Sequence, residues 1–241
     1  MQSSPMSSKA VNDAVALAVA QAAKNDRAPV AVFDLDGTLF DNGPRTWQIL
    51  VDFAEHEGNA ELRKALDAAR RTRLPYLLQE TLTALSVADA AVTERAHKFW
   101  AERFFTDAHQ AHDLPIAGAL ALVRALYEAG TTIVYLSGRD VPNMLIGVCE
   151  SLRTHGFPVG LARTSVVLKP SFHDEDLAFK KSALSFIDSL GVVVASYDNE
   201  PANCNAFCER WPDALHVFVA TQHAPNPPPL HTDVVVVDDL T

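Results

Sequence analysis

Basic residues, cysteines and long apolar runs are all scarce in this sequence of 241 residues. Lysine and arginine total 20 against 30 aspartates and glutamates, and the net charge of −10 argues against nucleic acid as a partner, because phosphate backbones select basic surfaces. The three cysteines are an odd number without framework spacing, which favours a reducing compartment over secretion. Because no apolar run approaches the length of a membrane span, we expect a cytoplasmic protein with no membrane partner.

From residue 115 onward, short and almost wholly apolar segments alternate with segments of helical pattern. The apolar segments, which we predict as strands, are residues 131–136, 165–168, 192–197, 215–219 and 234–237, and a further one lies at residues 30–33. Apolar strands that alternate with helices form parallel sheets that are covered by helices on both faces. The sequence therefore predicts an α/β fold with a Rossmann-like parallel sheet.

A long block at residues 41–114 stands apart from this alternation. Its composition is helical throughout and no strand pattern interrupts it, so we expect an all-helical insertion. The block is far longer than an ordinary connection between a strand and a helix, and long insertions of this kind are usually functional. We therefore predict an α/β core domain made of residues 1–40 and 115–241 and a helical domain made of residues 41–114.

The most informative stretch is Val-Ala-Val-Phe-Asp-Leu-Asp-Gly-Thr-Leu at residues 30–39. Its apolar start predicts a buried strand that ends at Asp34, and the glycine after Asp36 permits a sharp turn. Alternation along an extended backbone aims Asp34 and Asp36 to the same side. Two close carboxylates repel each other and need a cation, a shared proton or a bound ligand. Such a strand end indicates a functional site.

Two further predicted strands end in polar residues that are capable of chemistry, namely Ser137 and Asp198. In an open α/β sheet, ligands bind beyond the carboxyl ends of the strands. Because a parallel sheet delivers these ends to one edge, we expect Asp34, Asp36, Ser137 and Asp198 to lie close together.

The run from Asp34 to Leu39 resembles the first motif of the haloacid dehalogenase-like (HAD) hydrolase superfamily, and three later segments follow in that family's order. The resemblance implies that Asp34 is a nucleophile that forms an aspartyl-phosphate and that Asp36 is the general acid and base. It also implies a Mg²⁺ ion held by the Asp34 carboxylate, the Asp36 backbone carbonyl and Asp198. Because the dehalogenases of the family lack an acid at the position of Asp36, phosphoryl transfer is the expected chemistry.

The run Ser137-Gly138-Arg139 resembles the second motif of the family, whose hydroxyl side chain hydrogen-bonds the phosphoryl oxygen. We accordingly assign these three residues to substrate binding, and Arg139 reaches either the substrate or the helical domain. In this family an all-helical insertion after the first motif is called a C1 cap and closes over the active site. The resemblance implies that role for residues 41–114.

The third motif of the family is a lysine that offsets the charge of the nucleophile and the phosphate. Lys180 and Lys181 lie near the start of the helix that precedes the Asp198 strand, where the family places this lysine, whereas Lys169 ends a short strand. Neighbouring residues on a helix point about 100° apart, so only one of the two adjacent lysines can face the site. We select Lys180.

The fourth motif departs from the family pattern. The family often has two adjacent acids or two acids four residues apart, but Asn199 follows Asp198 here and Ala202 lies four residues on. Either Asn199 or Glu200 then supplies the outer shell of the metal, or the metal site uses fewer protein charges. Because of this departure, an alternative remains open in which the protein binds phosphorylated ligands but does not catalyse their turnover.

Taken with the family resemblance, these residues predict a Mg²⁺-dependent phosphatase that hydrolyses a small phosphorylated metabolite. Two alternatives remain open, a phosphomutase of sugar phosphates and a non-catalytic protein that binds a phosphate ligand. The sequence identifies neither the substrate nor the oligomeric state.

Two other spacings are compatible with metal binding. Cys204 and Cys208 lie four residues apart on a predicted helix, and His109 and His112 lie three residues apart. Because neither pair has enough further ligands near it in the sequence, we expect no metal at either.

Overall fold

The computed structural model describes residues 7–69 and 71–241; the other residues of the two predicted domains, 1–6 and 70, lie outside it. Eight strands are present in this part of the chain: β1 (Pro29–Phe33), β2 (Phe40–Asp41), β3 (Leu114–Pro115), β4 (Thr132–Asp140), β5 (Thr164–Lys169), β6 (Val192–Asp198), β7 (Leu215–Val219) and β8 (Val234–Val237). Six of them form one parallel sheet in the order β5-β4-β1-β6-β7-β8. The first strand therefore lies in the interior of the sheet, between β4 and β6.

The helices of the described residues are α1 (Ser8–Lys24), α2 (Gly43–His56), α3 (Ala60–Ala68), α4 (Leu78–Ala84), α5 (Ala90–Phe104), a 3₁₀ helix (Ala108–His112), α6 (Ala119–Glu128), α7 (Val141–Thr154), α8 (Asp176–Leu190) and α9 (Pro201–Arg210). Ala31 and Phe33 of β1 join the apolar cluster formed with α1, α6 and α7. Val30 and Val32, which alternate with them, join the cluster formed with α8 and α9. Because β1 is buried on both faces, its apolar run predicted the sheet correctly, and the α/β fold with a Rossmann-like parallel sheet is confirmed.

The helices α2 to α5 pack around an apolar cluster of their own. Its buried members include Leu50, Phe53, Leu66, Leu82 and Ala96, and it is separate from the two clusters that cover the sheet. This block therefore has a small hydrophobic core and does not depend only on the sheet for burial.

The chain enters and leaves this helical block through one short antiparallel pair. Phe40 pairs with Pro115 and Asp41 with Leu114, so β2 and β3 bring the two ends of the block together. The prediction of helix throughout residues 41–114 is wrong at these two ends, because two-residue strands carry too little pattern to be recognised. Residues 71–77 contain Pro75 and form a helix-free connection that leads into α4. Among the residues that the structure describes, no helix has both the length and the apolar character needed to cross a membrane.

Candidate active site

Three adjacent strands deliver polar side chains to the same edge of the sheet. Phe33, the last residue of β1, pairs with Tyr135 of β4 and Tyr197 of β6, so these strands are in register near their carboxyl ends. Asp34 directly follows β1, and its backbone N–H donates to the Tyr197 carbonyl at 3.0 Å. Ser137 lies near the end of β4 and Asp198 at the end of β6, so both are at the same edge of the sheet as Asp34. The side chains of Asp34, Ser137 and Asp198 are buried.

Lys180 joins the two carboxylates at the centre of this edge. Its Nζ donates to Asp34 Oδ1 at 2.7 Å and to Asp198 Oδ2 at 2.7 Å, and its side chain is 4% exposed. The helix α8 that carries it begins at Asp176, where the Glu175 side chain caps the first backbone N–H groups. Lys180 lies on the buried stripe of α8 with Ala183, Leu184 and Ile187, so the helical period directs it toward the sheet.

The other two candidate lysines lie elsewhere. Lys181 is exposed on the outer side of α8. Lys169 donates to Asp176 Oδ1 at 2.7 Å and to the carbonyl of Asp174 at 3.0 Å, so it holds the loop that precedes α8. Of the three lysines named from the sequence, the structure brings Lys180 to Asp34 and Asp198.

The electrostatics of this centre leave negative charge in excess. The pKa of Asp34 is raised to about 7, and burial is the largest cause; the neighbouring Asp198 and Asp36 contribute to the rise, whereas Lys180 opposes it. Although burial opposes it, the two carboxylates keep the pKa of Lys180 above its ordinary range, so the ammonium stays charged. One buried cation thus faces two acids, and a second cation would favour the ionised form of Asp34.

Asp198 is oriented by a residue that the sequence did not reveal. Asn203 Nδ2, on the first turn of α9, lies 3.1 Å from Asp198 Oδ1 and 3.2 Å from Oδ2, and it is buried. The N–H of Glu200 also donates to Asp198 Oδ1 at 2.8 Å. The available signal was a polar residue on the first turn of a helix that directly follows a strand carrying a site residue.

Asn199 and Glu200 are the residues that the sequence offered for the outer shell of the metal. In the structure, their side chains make hydrogen bonds to neighbouring loops. Asn199 Oδ1 accepts from the Thr38 hydroxyl at 3.2 Å, and its amide nitrogen donates to the Gln222 carbonyl. A side chain at Gly37 would overlap this amide, and Gly37 also has φ +78°, so both constraints require glycine there. Glu200 Oε1 accepts from the Ala224 N–H at 2.8 Å. Among the described residues, the side chains of Asn203 and Lys180 are the ones that hydrogen-bond to the Asp198 carboxylate.

Asp36 is bound by two arginines from different parts of the chain. Arg139 Nε donates to Asp36 Oδ2 at 2.8 Å and its Nη2 to Oδ1 at 2.8 Å, which is a bidentate pair. Arg45 Nη2 and Asn42 Nδ2 add contacts to Oδ1 at 3.3 and 3.1 Å. Although burial opposes it, the Arg139 and Arg45 charges hold the pKa of Asp36 well below its usual range. Asp36 is therefore ionised at neutral pH in this arrangement.

The same arginines meet a second buried carboxylate, Asp113, which follows the 3₁₀ helix. Asp113 accepts from Arg139 Nη2 at 2.7 Å and from Arg45 Nε at 2.8 Å, with a further contact to Arg45 Nη2. Arg139 Nη1 also donates to Gln110 Oε1. The sequence left open whether Arg139 reaches the substrate or the helical domain, and here it contacts Asp36 and the last turn before β3. Arg45 and Asp113 were not predicted as site residues.

The other two residues of the second motif line the same edge. Ser137 Oγ accepts from the Arg139 N–H at 3.2 Å, which leaves the hydroxyl proton available to a ligand. A side chain at Gly138 would overlap the carboxylate of Asp176, so this glycine permits a close approach of α8.

The donor set at this edge suits a hard divalent cation. Mg²⁺ prefers carboxylate and carbonyl oxygens, and Asp34, Asp36 and Asp198 offer these groups. Within residues 7–69 and 71–241, no hydrogen bond occupies Asp34 Oδ2 or the Asp36 backbone carbonyl. The unused oxygens and the excess of negative charge both fit a bound Mg²⁺.

Comparisons with known proteins bear on the fold. No protein-family model matches the sequence, and no curated protein matches it. Solved structures do match: a protein of Clostridium difficile described as a candidate phosphatase has a TM-score of 0.57 at 13% identity, over 88% of this chain and 94% of that one. A hydrolase of the haloacid dehalogenase-like family from Streptococcus pneumoniae has a TM-score of 0.50 at 10% identity, over 88% and 94% of the two chains. CbbY from Rhodobacter sphaeroides, solved in complex with phosphate, has a TM-score of 0.50 at 14% identity over the same shares.

These likenesses define the class of the protein by its fold. The chain has the fold of the HAD-like hydrolases, as the sequence motifs implied. At identities of 10 to 14% the comparisons establish the fold alone, and the chemistry has to be argued from the site residues.

Proposed function

We propose that the protein is a Mg²⁺-dependent phosphatase that hydrolyses a small phosphomonoester through a phosphorylated Asp34. The observation that carries the proposal is the buried Lys180 ammonium, 2.7 Å from an oxygen of both Asp34 and Asp198 at the carboxyl edge of the sheet. A nucleophilic carboxylate with a fixed cation beside it, and with oxygen ligands for a second cation, matches the needs of phosphoryl transfer.

Asp34 is the nucleophile in this proposal. Lys180 donates to its Oδ1, and the carboxylate attacks the phosphorus, so that an oxygen–phosphorus bond forms and the bond to the leaving alcohol breaks. Asp34, the Asp36 carbonyl and Asp198 would hold the Mg²⁺, which when bound shields the repulsion between the carboxylate and the phosphate. The Ser137 hydroxyl is free to donate to a phosphoryl oxygen.

Asp36 is the proposed acid and base. Its ionised state, held by Arg139, suits the second half of the reaction, where a base takes a proton from the water that attacks the aspartyl-phosphate. The first half needs a protonated Asp36 that can give its proton to the leaving alcohol. A substrate phosphate that attracts the Arg139 guanidinium would weaken the ion pair between Arg139 and Asp36. The pKa of the Asp36 carboxyl would then rise. Arg139 thus has a proposed role in substrate binding and in the timing of proton transfer.

We further propose that residues 41–114 act as a cap over a core domain made of residues 1–40 and 115–241. Three features support a separate unit: the block has its own apolar cluster, both its ends pass through the β2–β3 pair, and the Arg45–Asp113 pair lies at its junction with Asp36. A cap excludes water from the aspartyl-phosphate until the alcohol has left. A small phosphorylated metabolite is the proposed substrate.

The test is phosphate release from an aryl phosphate and from a panel of phosphorylated metabolites, with Mg²⁺ and with a chelator. Asp34→Asn keeps the side-chain shape and removes the nucleophilic charge, so we expect loss of at least about a thousandfold in rate. Asp67→Asn, on the exposed side of α3, is the matched control and should retain full activity.

Each outcome of this test separates the alternatives. Activity that needs both Mg²⁺ and Asp34 supports the phosphatase. Interconversion of sugar phosphates without net phosphate release supports a phosphomutase, and binding of phosphorylated ligands without turnover supports a binding protein. Full activity of Asp34→Asn contradicts the mechanism.

A further inference from the structure

A second group of potential metal ligands lies at the carboxyl end of α9, whereas Asp198 contacts the first turn of this helix. Cys208 near the end of α9 faces His231 and Asp233, which lie just before β8, and one ligand atom from each residue lies within 4.8 Å of the others. Cys208 is buried, whereas His231 and Asp233 are open to solvent. An ion could therefore reach the group from the surface.

The spacing of these atoms resembles that of a tetrahedral metal site. Cys208 Sγ lies 3.3 Å from His231 Nδ1, and Nδ1 lies 3.8 Å from Asp233 Oδ2. With zinc–sulfur bonds of about 2.3 Å and zinc–nitrogen or zinc–oxygen bonds of about 2.0 Å, neighbouring ligand atoms are roughly 3.3 to 3.6 Å apart. The three side chains therefore need only small movements to share one ion.

The contacts of His231 suit the tautomer that such an ion requires. The Asp233 backbone N–H lies 3.2 Å from His231 Nδ1, a contact that is a hydrogen bond when the ring proton is on Nε2 and Nδ1 accepts. The Cys208 thiol is then the donor toward the same lone pair. A metal ion would take the place of the thiol proton between sulfur and nitrogen.

The loop that carries His231 is fixed on α9. Asn205 Nδ2 donates to the Pro229 carbonyl at 2.9 Å, and Asn205 Oδ1 accepts from the His231 N–H at 2.7 Å. Four prolines between residues 225 and 229 limit the conformations of the unfolded loop. The site is thus largely formed before any ion binds, which reduces the entropy cost of binding.

We propose that Cys208, His231 and Asp233 form a binding site for a thiophilic divalent transition-metal ion of the Zn²⁺ class, with water as the fourth ligand. The thiolate and the carboxylate together balance the two positive charges of the ion, and the thiol proton passes to solvent on binding. Hard ions such as Mg²⁺ prefer oxygen ligands, so this site differs in chemistry from the one at Asp34.

The sequence pairs Cys208 with Cys204 at a spacing compatible with metal binding, but the structure separates their surroundings. Cys204, four residues before Cys208, turns inward, where its thiol contacts the Asp198 carbonyl at 3.6 Å. The partners of Cys208 come instead from the other side of β7, 23 and 25 residues later. No local spacing joins them, so folding alone brings the three ligands together.

The experiment is a Co²⁺ titration of the full chain under reducing conditions, because cobalt bound to a thiolate gives a charge-transfer absorption that oxygen ligands do not. We expect one equivalent of Co²⁺ to produce this absorption and Zn²⁺ to remove it. Cys208→Ser should abolish the absorption, and Cys149→Ser, which changes a half-buried free cysteine on α7, should retain it.

Two further variants keep the result unambiguous. His231→Gln changes an exposed side chain and should fold normally, yet raise the dissociation constant at least about tenfold. Asp34→Asn should leave the titration unchanged, since the site is independent of the proposed phosphatase centre. Absence of the absorption in the unmodified protein, or its persistence in Cys208→Ser, would overturn the proposal.

Discussion

Asp113→Asn tests the buried charge network that joins the helical block to the sheet edge. Asp113 is fully buried and accepts hydrogen bonds from Arg45 and Arg139, while Asp36 is the other carboxylate that the two arginines share. The four charges therefore balance in the intact protein. The substitution keeps the volume of the side chain and leaves two guanidinium groups with one carboxylate.

The magnitude follows from the burial of the group. Removal of one partner from a buried ion pair costs about 3 to 5 kcal/mol, because the remaining charge is left without compensation in a medium that solvates it poorly. The new amide also points an N–H group at a guanidinium, which adds repulsion. For a chain of this length each kcal/mol lowers the unfolding midpoint by about 2 to 4 °C, so we expect a fall of roughly 6 to 20 °C.

Thermal unfolding followed by circular dichroism measures this difference directly. Glu55→Gln is the matched control, because Glu55 pairs with Arg63 on the surface and both side chains are largely exposed. Exposed ion pairs contribute little, so the control should melt close to the unmodified protein. If Asp113→Asn melts within about 2 °C of the unmodified protein, the balanced network does not stabilise the fold as argued here.

Three further predictions concern the centre around Asp34. Lys180→Met should reduce phosphate release at least about a hundredfold in steady-state assays, whereas Lys181→Met, which changes an exposed neighbour, should leave it unchanged. Asn203→Ala should raise the Mg²⁺ concentration needed for half-maximal activity about 10- to 100-fold, because Asn203 orients a proposed metal ligand; an unchanged Mg²⁺ dependence would contradict this. Burial raises the pKa of Asp34 to about 7 from its ordinary value of 3.8, so the folded state holds a proton that the unfolded chain loses between those values. The stability of the metal-free protein should therefore fall as pH rises from about 4 to 7, by at most about 1.4 kcal/mol per unit from this group, and urea unfolding of Asp34→Asn should lack that contribution.

Features carried by local pattern could be predicted from the sequence. The β1 strand is apolar on both faces and ends in Asp34, so its buried position and its exit at the sheet edge follow from the sequence alone. Lys180 and Lys181 could be placed on the helix before the Asp198 strand, and the family resemblance favoured this helix over Lys169 at the end of a strand. The position of β1 needs only the period of a strand and the parallel arrangement of the sheet, whereas the choice of the lysine also needs the family resemblance.

The partners of Asp36 could not be predicted in the same way. Arg139 is 103 residues from Asp36, and Arg45 is 68 residues from Asp113. The contact of Arg139 joins the neighbouring strand ends of β4 and β1, but those of Arg45 depend on the path by which the helical block leaves β2 and returns at β3, and two-residue strands leave no recognisable pattern. Asn203 was missed for a different reason, because a single asparagine on a helix gives no sign of whether it points to a carboxylate or to solvent.

The charge distribution at the sheet edge shifts the pKa values of Asp34 and Asp36 in opposite directions. Asp34 shares one lysine with Asp198 and has its pKa raised, whereas Asp36 is bound by two arginines and has its pKa lowered. On the proposed function, the first centre gains a cation when Mg²⁺ binds, which favours the ionised nucleophile. The second gains an anion when the substrate phosphate approaches Arg139, which favours a protonated Asp36. Metal and substrate therefore change the two carboxyl groups in opposite directions, and each change is the one that the attack of Asp34 on phosphorus requires.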